Sequence, residues 1–465
     1  MAVFNLKWVV LAIAVIMYAL VIAFQEKKVL FTTAAALVVV VLGCLLPGSI
    51  FDMPSSVTGS ALVNHTYALF HAVVEVINWN VILIYLGSMT IAALFLYSNV
   101  PARIADSIIN NSRNTGIAMI LILAMTGIIS IFVENVATVL VMAPIALALC
   151  KKLKMNPTFF MIGLAVMSNL EGTATLVGDP PSMIFAGVSG YNFVDFFIHD
   201  GKLSIFFIIQ AGLLAGCIYF YFFFAKAGKN KINVEKTEVI SWVPFIILIL
   251  MIVGLAGISF IPDPTENALN VTNIYDFISG FYVLALGIIS VIWYKVSQKK
   301  SGKEVWQLIK ELDWETIFFL LGIFIVVGGI QETGLLNDFA NFLAGICGGS
   351  KFVGFLIILV VSVIISGFVD NVPYIIAMLP VAKLLAETMS TEMQLASELF
   401  MFALLVGSCL GGNLTPFGAS ANVVSMGIVK KEGYPMKFSG WLKVAGPFTI
   451  ITTGVSALVM WLLWA

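Results

Sequence analysis

The chain has 465 residues, of which 60% are hydrophobic and 11% are charged, and its formal net charge at pH 7 is −1. Roughly a quarter of the residues of a soluble domain are charged, so this composition excludes a soluble protein and predicts a polytopic membrane protein. A net charge so close to zero identifies no partner. We expect the lipid bilayer and a small ion as partners, and no nucleic acid.

Ten apolar runs are long enough to cross about 30 Å of hydrocarbon. In chain order they lie near residues 8–24, 29–46, 79–99, 157–188, 202–224, 242–260, 277–297, 314–335, 397–428 and 440–464. Two further apolar stretches, 115–150 and 350–390, are interrupted by acidic residues at Glu134 and Asp370. Each stretch is either two ordinary spans or one hairpin that enters and leaves on the same side of the membrane. The arm 136–150 is about 15 residues, or roughly 22 Å of helix, which favours the hairpin.

The basic residues indicate how the chain is oriented. If both interrupted stretches are hairpins, twenty of the 24 Lys and Arg residues fall in the loops of one side, and the positive-inside rule makes that side cytoplasmic. These loops lie near 25–28, 100–114, 150–156, 225–241, 295–313 and 429–443. We therefore expect both termini on the outer side of the membrane. We expect that membrane to be the inner or plasma membrane of the cell. Two spans in each stretch would leave this assignment unchanged.

The chain divides into two halves of matching organisation. Residues 1–224 and 242–465 each contain five spans and one interrupted stretch, and residues 225–241 form a predicted cytoplasmic linker. Trp79 and Trp314 occupy matching places in the two halves. Because five is an odd number, the second half lies upside down relative to the first. We predict an all-α polytopic membrane protein with an inverted repeat of five spans plus one re-entrant hairpin in each half.

Each half also carries a matched pair of polar motifs. ENVATVLVMAPIALAL, which begins at Glu134, matches DNVPYIIAMLPVAKLL, which begins at Asp370, at six of 16 positions. SNLEGTATLVGDPPS, which begins at Ser168, matches SCLGGNLTPFGASAN, which begins at Ser408, at five of 15 positions. Duplicated polar motifs within apolar spans are typical of the binding sites of secondary transporters.

Glycines and prolines in the second motif pair predict that the spans 157–188 and 397–428 are broken helices. Unwound backbone exposes carbonyl oxygens that suit a cation, and half-helix N-termini favour an anion. The candidate ion- or substrate-binding residues share polarity or a missing side chain within these motifs. They are Glu134, Asn135, Thr138, Ser168, Asn169, Gly172, Thr173, Thr175, Gly178, Asp179, Asp370, Asn371, Ser408, Gly412, Asn413, Thr415, Gly418, Ser420 and Asn422.

Four of these residues, Asn135, Gly172, Asn371 and Gly412, are candidate Na⁺ ligands. The two asparagines could instead serve as helix N-caps. Apart from Na⁺ as a coupling ion, we expect no cofactor, and no residue is a candidate for catalysis.

Carboxylates within the apolar spans discriminate best between mechanisms. Glu134, Glu171, Asp179 and Asp370 have no Lys or Arg near them in sequence at comparable depth, and a bare charge in hydrocarbon is costly. We predict that Glu134 and Asp370 exchange a proton or Na⁺ as the site alternates between the two faces. Alternatively, each is a neutral cap of its hairpin tip. Asp179 and Glu171 lack acidic counterparts in the second half.

GTATLVGDPPS at 172–182 resembles the GTATLIGDPPN signature of the arsenite permease and P protein branch of the ion transporter superfamily. DNVP at 370–373 resembles the hairpin tip of that branch, which also includes NhaD-type antiporters; citrate transporters and divalent-anion:sodium symporters are related. The resemblance implies two hairpins, a mobile transport region that moves as an elevator, and a homodimer. Ser182 stands where the signature has Asn. Glu134, at the first hairpin tip, stands where the branch more usually has Asp. The divalent-anion symporters have Ser-Asn-Thr at both tips, whereas this chain has acidic tips. These carboxylates would repel a dianion unless cations neutralised them, which disfavours sodium:dicarboxylate symport.

The sequence therefore predicts a cation-coupled secondary transporter for a small inorganic or organic ion. A Na⁺/H⁺ antiporter and an ion channel are alternatives. An intramembrane aspartyl protease is the least favoured alternative, because Leu176 removes the required GxGD pattern and Asp276 is predicted to lie at the outer end of a helix. No GxxxxGK[ST] motif is present, so the chain does not hydrolyse ATP by that route; a separate ATPase partner stays open.

Overall fold

The computed structural model describes residues 6–51, 53, 61–224, 233–261, 277–389 and 393–465. Apart from one two-residue hairpin, β1 (Ile198–His199) with β2 (Lys202–Leu203), the elements of these residues are helical. Asp276 lies outside the described residues, as does the part of the predicted linker from 225 to 232.

Ten α-helices form the first half of the described chain. They are α1 (Leu6–Ala23), α2 (Lys28–Leu45), α3 (Ala61–His71), α4 (Trp79–Tyr97), α5 (Val100–Asn111), α6 (Thr115–Ser130), α7 (Asn135–Leu153), α8 (Thr158–Gly172), α9 (Pro180–Ser189) and α10 (Ile205–Phe224).

Ten more follow in the second half, in the same order of long and short helices. They are α11 (Val243–Ile258), α12 (Ile278–Ser297), α13 (Gly302–Lys310), α14 (Trp314–Glu332), α15 (Leu335–Cys347), α16 (Lys351–Ser366), α17 (Asn371–Met389), α18 (Met393–Gly411), α19 (Ser420–Lys431) and α20 (Phe438–Trp464).

Matching helices begin at matching capping residues. Asn78 accepts a hydrogen bond from the third residue of α4 at 3.1 Å, and Asp313 does the same for α14 at 3.0 Å. Asn114 caps α6 at 2.9 Å, and Ser350 caps α16 at 3.4 Å. A capping side chain satisfies one of the free N–H groups at a helix start. The two halves thus share start signals as well as helix order.

Ten helices of the described chain are long and apolar enough to cross a membrane, and α7 and α17 are among them. The predicted short arm was therefore wrong: α7 continues to Leu153 and has 19 residues, about 28 Å of helix. Its length does not distinguish a hairpin arm from a span. The predicted spans near 157–188 and 242–260 contain shorter apolar helices, α8 and α11.

Helices of one half pack against helices of the other in matched pairs. α2 packs against α14 and α4 against α12, while α7 packs against α19 and α17 against α9. Glycine permits the close approach of the first two pairs: a Cβ added at Gly87 would lie 2.6 Å from the backbone of Val283, and one added at Gly322 would lie 2.9 Å from that of Thr32. Swapping the halves turns each helix pair into its counterpart, so the two halves pack as a pseudo-symmetric pair.

The two interrupted stretches extend toward opposite ends of α4. α7 borders a crevice with Leu96 and Asn99 at the C-terminal end of α4. α17 contributes Pro380 to a cavity that also includes Trp79 and Asn80 at the N-terminal end of α4. The turns that begin α7 and α17 face each other in the centre, because residues of both line the same cavity.

Candidate ion-binding site between the two tips

The carboxylates at the tips cap the returning helices. Glu134 Oε2 accepts a hydrogen bond from the backbone N–H of Ala137 at 3.1 Å, and Asp370 Oδ1 accepts one from that of Val372 at 3.2 Å. Asn135 is the first residue of α7, one position past the cap. The asparagines are therefore not the N-caps, and their side chains are available for other contacts.

The first tip docks onto the broken span beside it. Ser130 Oγ donates to Asn135 Oδ1 at 2.7 Å, and Ser168 Oγ donates to the carbonyl of Asn135 at 3.1 Å. A Cβ added at Gly172 would lie 2.2 Å from Asn135 Oδ1. Only glycine leaves room there for the asparagine amide, so Gly172 positions the tip.

A threonine in each break makes the same contact with its tip. Thr175 Oγ1 donates to the carbonyl of Ile131 at 2.5 Å, and Thr415 Oγ1 donates to that of Gly367 at 2.5 Å. Both carbonyls belong to the turns that lead into the tips, where helical hydrogen bonds end. These two predicted site residues therefore fasten the tips to the broken helices.

The unwound turns are folded back on themselves. A Cβ added at Gly178 would lie 2.4 Å from the carbonyl oxygen of Gly172, and one added at Gly418 would lie 2.6 Å from that of Gly412. Each close approach brings the end of the break onto its beginning. The glycine requirement is local and matched in the two halves.

Asparagines join the two broken spans. Asn169 Nδ2 donates to Asn413 Oδ1 at 2.8 Å and to Asn422 Oδ1 at 2.9 Å. Asn422 Nδ2 donates in turn to the carbonyls of Gly412 and Thr415, both at 2.9 Å. Asn169 Oδ1 is buried with no hydrogen-bond partner in the described structure. A buried acceptor of this kind is costly unless a ligand or water satisfies it.

Asn169 is one of the residues that line a cavity of about 50 Å³ between the tips. The volume has room for a few water molecules or a small ion. Seven predicted site residues line it: Glu134, Asn135, Asn169, Asp179, Asp370, Asn371 and Ser420. Ser420 is exposed, whereas Asn169 is buried. The cavity therefore extends from an exposed side chain at the start of α19 to the buried break in the first span.

Asp179 lies at the centre of the charged groups. Its side chain is only 6% exposed, the amides of Asn135 and Asn371 flank it, and the carboxylates of Glu134 and Asp370 act on it electrostatically. Asp179 Oδ2 has no hydrogen-bond partner in the described structure. Three carboxylates thus share one small cavity, and like charges so placed must bind protons or cations.

The donor set suits a monovalent hard cation. Side-chain oxygens of Asn135 and Asn371 and the backbone carbonyls of Gly172 and Gly412 are oxygen ligands, which hard cations prefer. The described residues contain no cluster of three or more His, Cys, Asp or Glu placed to hold a metal ion. Of the four predicted Na⁺ ligands, Asn135 and Asn371 line the cavity, whereas Gly172 and Gly412 are not among its lining residues.

Several predicted site residues lie behind the cavity wall. Thr138 donates to the carbonyl of Val133 at 3.1 Å, Thr173 to that of Asn169 at 3.2 Å, and Ser408 to that of Leu405 at 3.0 Å. These hydroxyls satisfy helix carbonyls, which is a common structural role. They are not among the residues that line the cavity.

Glu171 also lies away from the cavity. It is fully buried, accepts a hydrogen bond from Gln210 Nε2 at 2.7 Å, and packs on α6, where a Cβ added at Gly127 would lie 2.8 Å from its Cγ. It is a buried acid of the same broken span that does not face the three carboxylates.

The sequence prediction missed the opposite wall of the cavity. That wall comes from α2, α4 and α14 and includes Lys28, Tyr85, Asp313, Thr316 and Phe319. Tyr85 donates its hydroxyl hydrogen to Asp313 Oδ2 at 3.0 Å. No Lys or Arg lies near these carboxylates along the chain, but Lys28, which the sequence assigns to a loop directly before the apolar run 29–46, reaches the cavity from a distant part of the sequence.

The family model described as citrate transporter matches residues 18–407. The chain belongs to the citrate transporter family. Membership makes it a membrane transporter rather than an enzyme and confirms the predicted relation to the ion transporter superfamily. An uncharacterised transporter of Mycobacterium tuberculosis is 30% identical over 390 residues, which cover 83% of this chain and 86% of that protein.

This member of the citrate transporter family is also similar in sequence to the P protein and in fold to two solved transporter structures. The P protein of Sus scrofa is 25% identical over 447 residues, which cover 82% of this chain but 52% of that protein. The YdaH transporter of Alcanivorax borkumensis has the same fold, with a TM-score of 0.62 at 14% identity over 93% of this chain and 97% of that one. MtrF of Neisseria gonorrhoeae matches with a TM-score of 0.56 at 13% identity, over 92% and 94% of the two chains. The predicted all-α polytopic fold is confirmed.

Proposed function

We propose that this protein is an ion-coupled secondary active transporter in which the cavity between the tips binds the coupling cation, H⁺ or Na⁺, together with a small ion. The observation that carries the proposal is that Glu134, Asp179 and Asp370 share one cavity of about 50 Å³. Three carboxylates in so little space are stable only with protons or cations bound. Emptying and refilling such a site from opposite faces couples cation flow to transport.

An inverted repeat with alternating access accounts for the arrangement of the helices. α7 and α17 extend toward opposite ends of α4, as expected if the two hairpins enter from opposite sides of the membrane. The pairs α2–α14 and α4–α12 form a scaffold, and the tips with the broken spans move against it as an elevator. The proposed domains are the halves 1–224 and 242–465, joined by the cytoplasmic linker 225–241, with both termini outside. A homodimer in the inner or plasma membrane completes the arrangement.

The acidic cavity constrains the substrate. A polycarboxylate such as citrate, which the family's description names, would be repelled by the three carboxylates unless it entered together with cations. A small cation, or a small neutral oxyacid of the arsenite type, meets no such repulsion. Na⁺/H⁺ exchange is the second candidate function, and the absence of Ser-Asn-Thr tips favours it over sodium:dicarboxylate symport.

Reconstitution into proteoliposomes tests the proposal. Uptake of Na⁺, Li⁺, arsenite, phosphate, sulfate, citrate and succinate is measured under imposed pH and Na⁺ gradients, with protein-free vesicles as the control. At least one ion accumulates against its own gradient when the H⁺ or Na⁺ gradient is present, and accumulation stops when that gradient is collapsed. A rapid electrogenic leak without accumulation of any ion would instead identify a channel.

A further inference from the structure

Lys28 is the one Lys or Arg among the described residues that line the cavity. It faces the carboxylates of the tips and the broken span, together with Asp313 on its own side. The ionisable groups around it come from five neighbouring elements: Glu315 and Asp313 at the start of α14, Tyr85 of α4, Glu134 and Asp370 at the two tips, and Asp179 before α9. One fixed cation therefore stands among a majority of acids.

The scaffold holds this lysine in place. Lys28 is the first residue of α2, and α2 packs closely on α14 because Gly322 leaves room for the backbone of Thr32. The ammonium lies 5.4 Å from the centroid of the Phe319 ring, and the Lys28 side chain is 17% exposed. A cation over an aromatic face is favourably placed. The lysine thus approaches the cavity from the side opposite to the tips.

The ion pair with Glu315 does not neutralise Lys28. Its Nζ is 3.9 Å from Glu315 Oε1, and the Glu315 side chain is 54% exposed. An exposed pair at that distance contributes little. Meanwhile Lys28 acts electrostatically on Glu134, so its positive charge is available to the cavity.

We propose that Lys28 is a built-in counter-ion, which balances the cavity carboxylates after the transported cation has left. The inference rests on the proposed coupled transport. A carboxylate without a bound cation is unfavourable in this buried site. The ammonium group of Lys28 lowers that free-energy cost, and it stays at the site because it is part of the chain. Lys28 therefore competes with the coupling cation for the carboxylates. It weakens the binding of that cation when the cavity is open to the membrane face nearer the start of α2, here called the Lys28 face, and favours release of the cation there.

The effect is confined to one face. α12 is the counterpart of α2, and the start of α12 contributes Phe277 and Ser279 to a separate cavity of about 830 Å³ at the N-terminal end of α4. No Lys or Arg is found among the described residues lining that cavity, and His71 there is already engaged, with Nδ1 2.6 Å from Glu75 and Nε2 2.7 Å from Glu332. The pseudo-symmetric frame thus has its lysine on one side.

Sided transport kinetics in proteoliposomes test the inference. The cation concentration for half-maximal flux is measured separately at each face for the wild type, Lys28→Gln and the charge-retaining Lys28→Arg. In Lys28→Gln this concentration falls by about fivefold or more at the Lys28 face, the lower range of site-to-site coupling, and stays unchanged at the other face. Lys28→Arg keeps the positive charge and shifts this concentration less than Lys28→Gln does. An equal change at both faces, or none, overturns the inference.

Lys28→Met supplies a second variant in case Lys28→Gln fails to fold, because its unbranched apolar side chain can still cover the Phe319 ring. Removing the charge in this way lowers the half-maximal concentration at the same face, as in Lys28→Gln, and leaves the other face unchanged. Unchanged kinetics in Lys28→Met, or an equal change at both faces, contradicts the inference. A wild type without coupled transport of any ion overturns the proposed function instead, and the inference falls with it.

Discussion

The two broken spans share a frame but differ in chemistry. In the first half Gly178 closes onto the carbonyl of Gly172, and in the second Gly418 closes onto that of Gly412. The charged residue at the end of the first break is Asp179, whereas the matching residue of the second break is Ala419. The matched positions keep the glycines that the backbone requires, while the carboxylate that lies between the tips is present once.

The amides show the same division. Asn169 of the first span donates to two asparagines of the second, Asn413 and Asn422. Cys409 and Ser182 occupy the positions that match Asn169 and Asn422. The second half therefore supplies most of the neutral hydrogen-bond frame around the break, and the first half supplies the third charge. A difference of this kind between matched positions indicates where the site is specialised.

Asp179→Asn tests that specialisation and has the largest expected effect. Loss of a charged hydrogen-bonding group in a buried site costs about 1.5–3 kcal/mol, so coupled uptake falls by roughly 10- to 150-fold. Ala419→Ser, at the matching position of the other half, is the control and retains most of the rate. Uptake assays in proteoliposomes at equal protein density measure both. Equal losses in the two variants would remove the distinction between the halves.

Glycine substitutions compare the two frames directly. Gly172→Ala places a Cβ 2.2 Å from Asn135 Oδ1, and Gly412→Ala places one 2.9 Å from the carbonyl of Gly418. Overpacking of this kind costs about 1–3 kcal/mol, and the shorter approach costs more, so Gly172→Ala lowers Tm further. Gly257→Ala, which meets nothing within 4 Å, serves as the control. A larger loss at Gly412 would reverse the assigned order.

The threonines of the two breaks should behave alike, because Thr175 and Thr415 make the same contact in the two halves. Thr175→Val and Thr415→Val each remove one 2.5 Å hydrogen bond to a tip carbonyl, worth about 1 kcal/mol. We expect equal decreases in Tm for the two variants. Thermal unfolding in detergent measures them, and a decrease confined to one half would show that only that tip is fastened by its threonine.

The smallest expected effect concerns short helices outside the spans. The hydrogen bond with Glu332 raises the pKa of His71 above its usual 6.5, whereas no counterpart of this ion pair joins the described residues of α13 to α4. A raised pKa means that the protonated bridge stabilises the fold below the unfolded value and is lost as pH rises through the folded one. Tm therefore declines above pH 6.5 in the wild type, with less decline in His71→Gln. His65→Gln, on the same helix, keeps the wild-type profile.

Repetition explains how much of the site could be predicted from the sequence. Asn135 and Asn371, the paired glycines and the acidic tips recur at a nearly constant spacing, so their shared depth follows from the chain alone. Seven of the predicted residues line the cavity. The resemblance of residues 172–182 to a transporter signature agrees with the family that the chain belongs to.

The remainder depends on contacts that no local pattern encodes. Lys28, Tyr85 and Asp313 reach the cavity only because α2, α4 and α14 pack together across the two halves. Glu171 is buried like Asp179 but lies outside the cavity, where Gln210 donates a hydrogen bond to it. Burial and charge can be read from sequence, whereas the direction that a side chain faces near a helix break cannot.

Gradient-driven uptake by Glu134→Gln and Asp370→Asn is the most direct test that the tip carboxylates carry the coupling cation. Glu171→Gln is the matched control, because it neutralises a buried acid outside the cavity. The account predicts that both tip variants fold, with monodisperse elution and a Tm near that of the wild type, and lose accumulation against a gradient, while Glu171→Gln retains it. Wild-type coupling in both tip variants would contradict it.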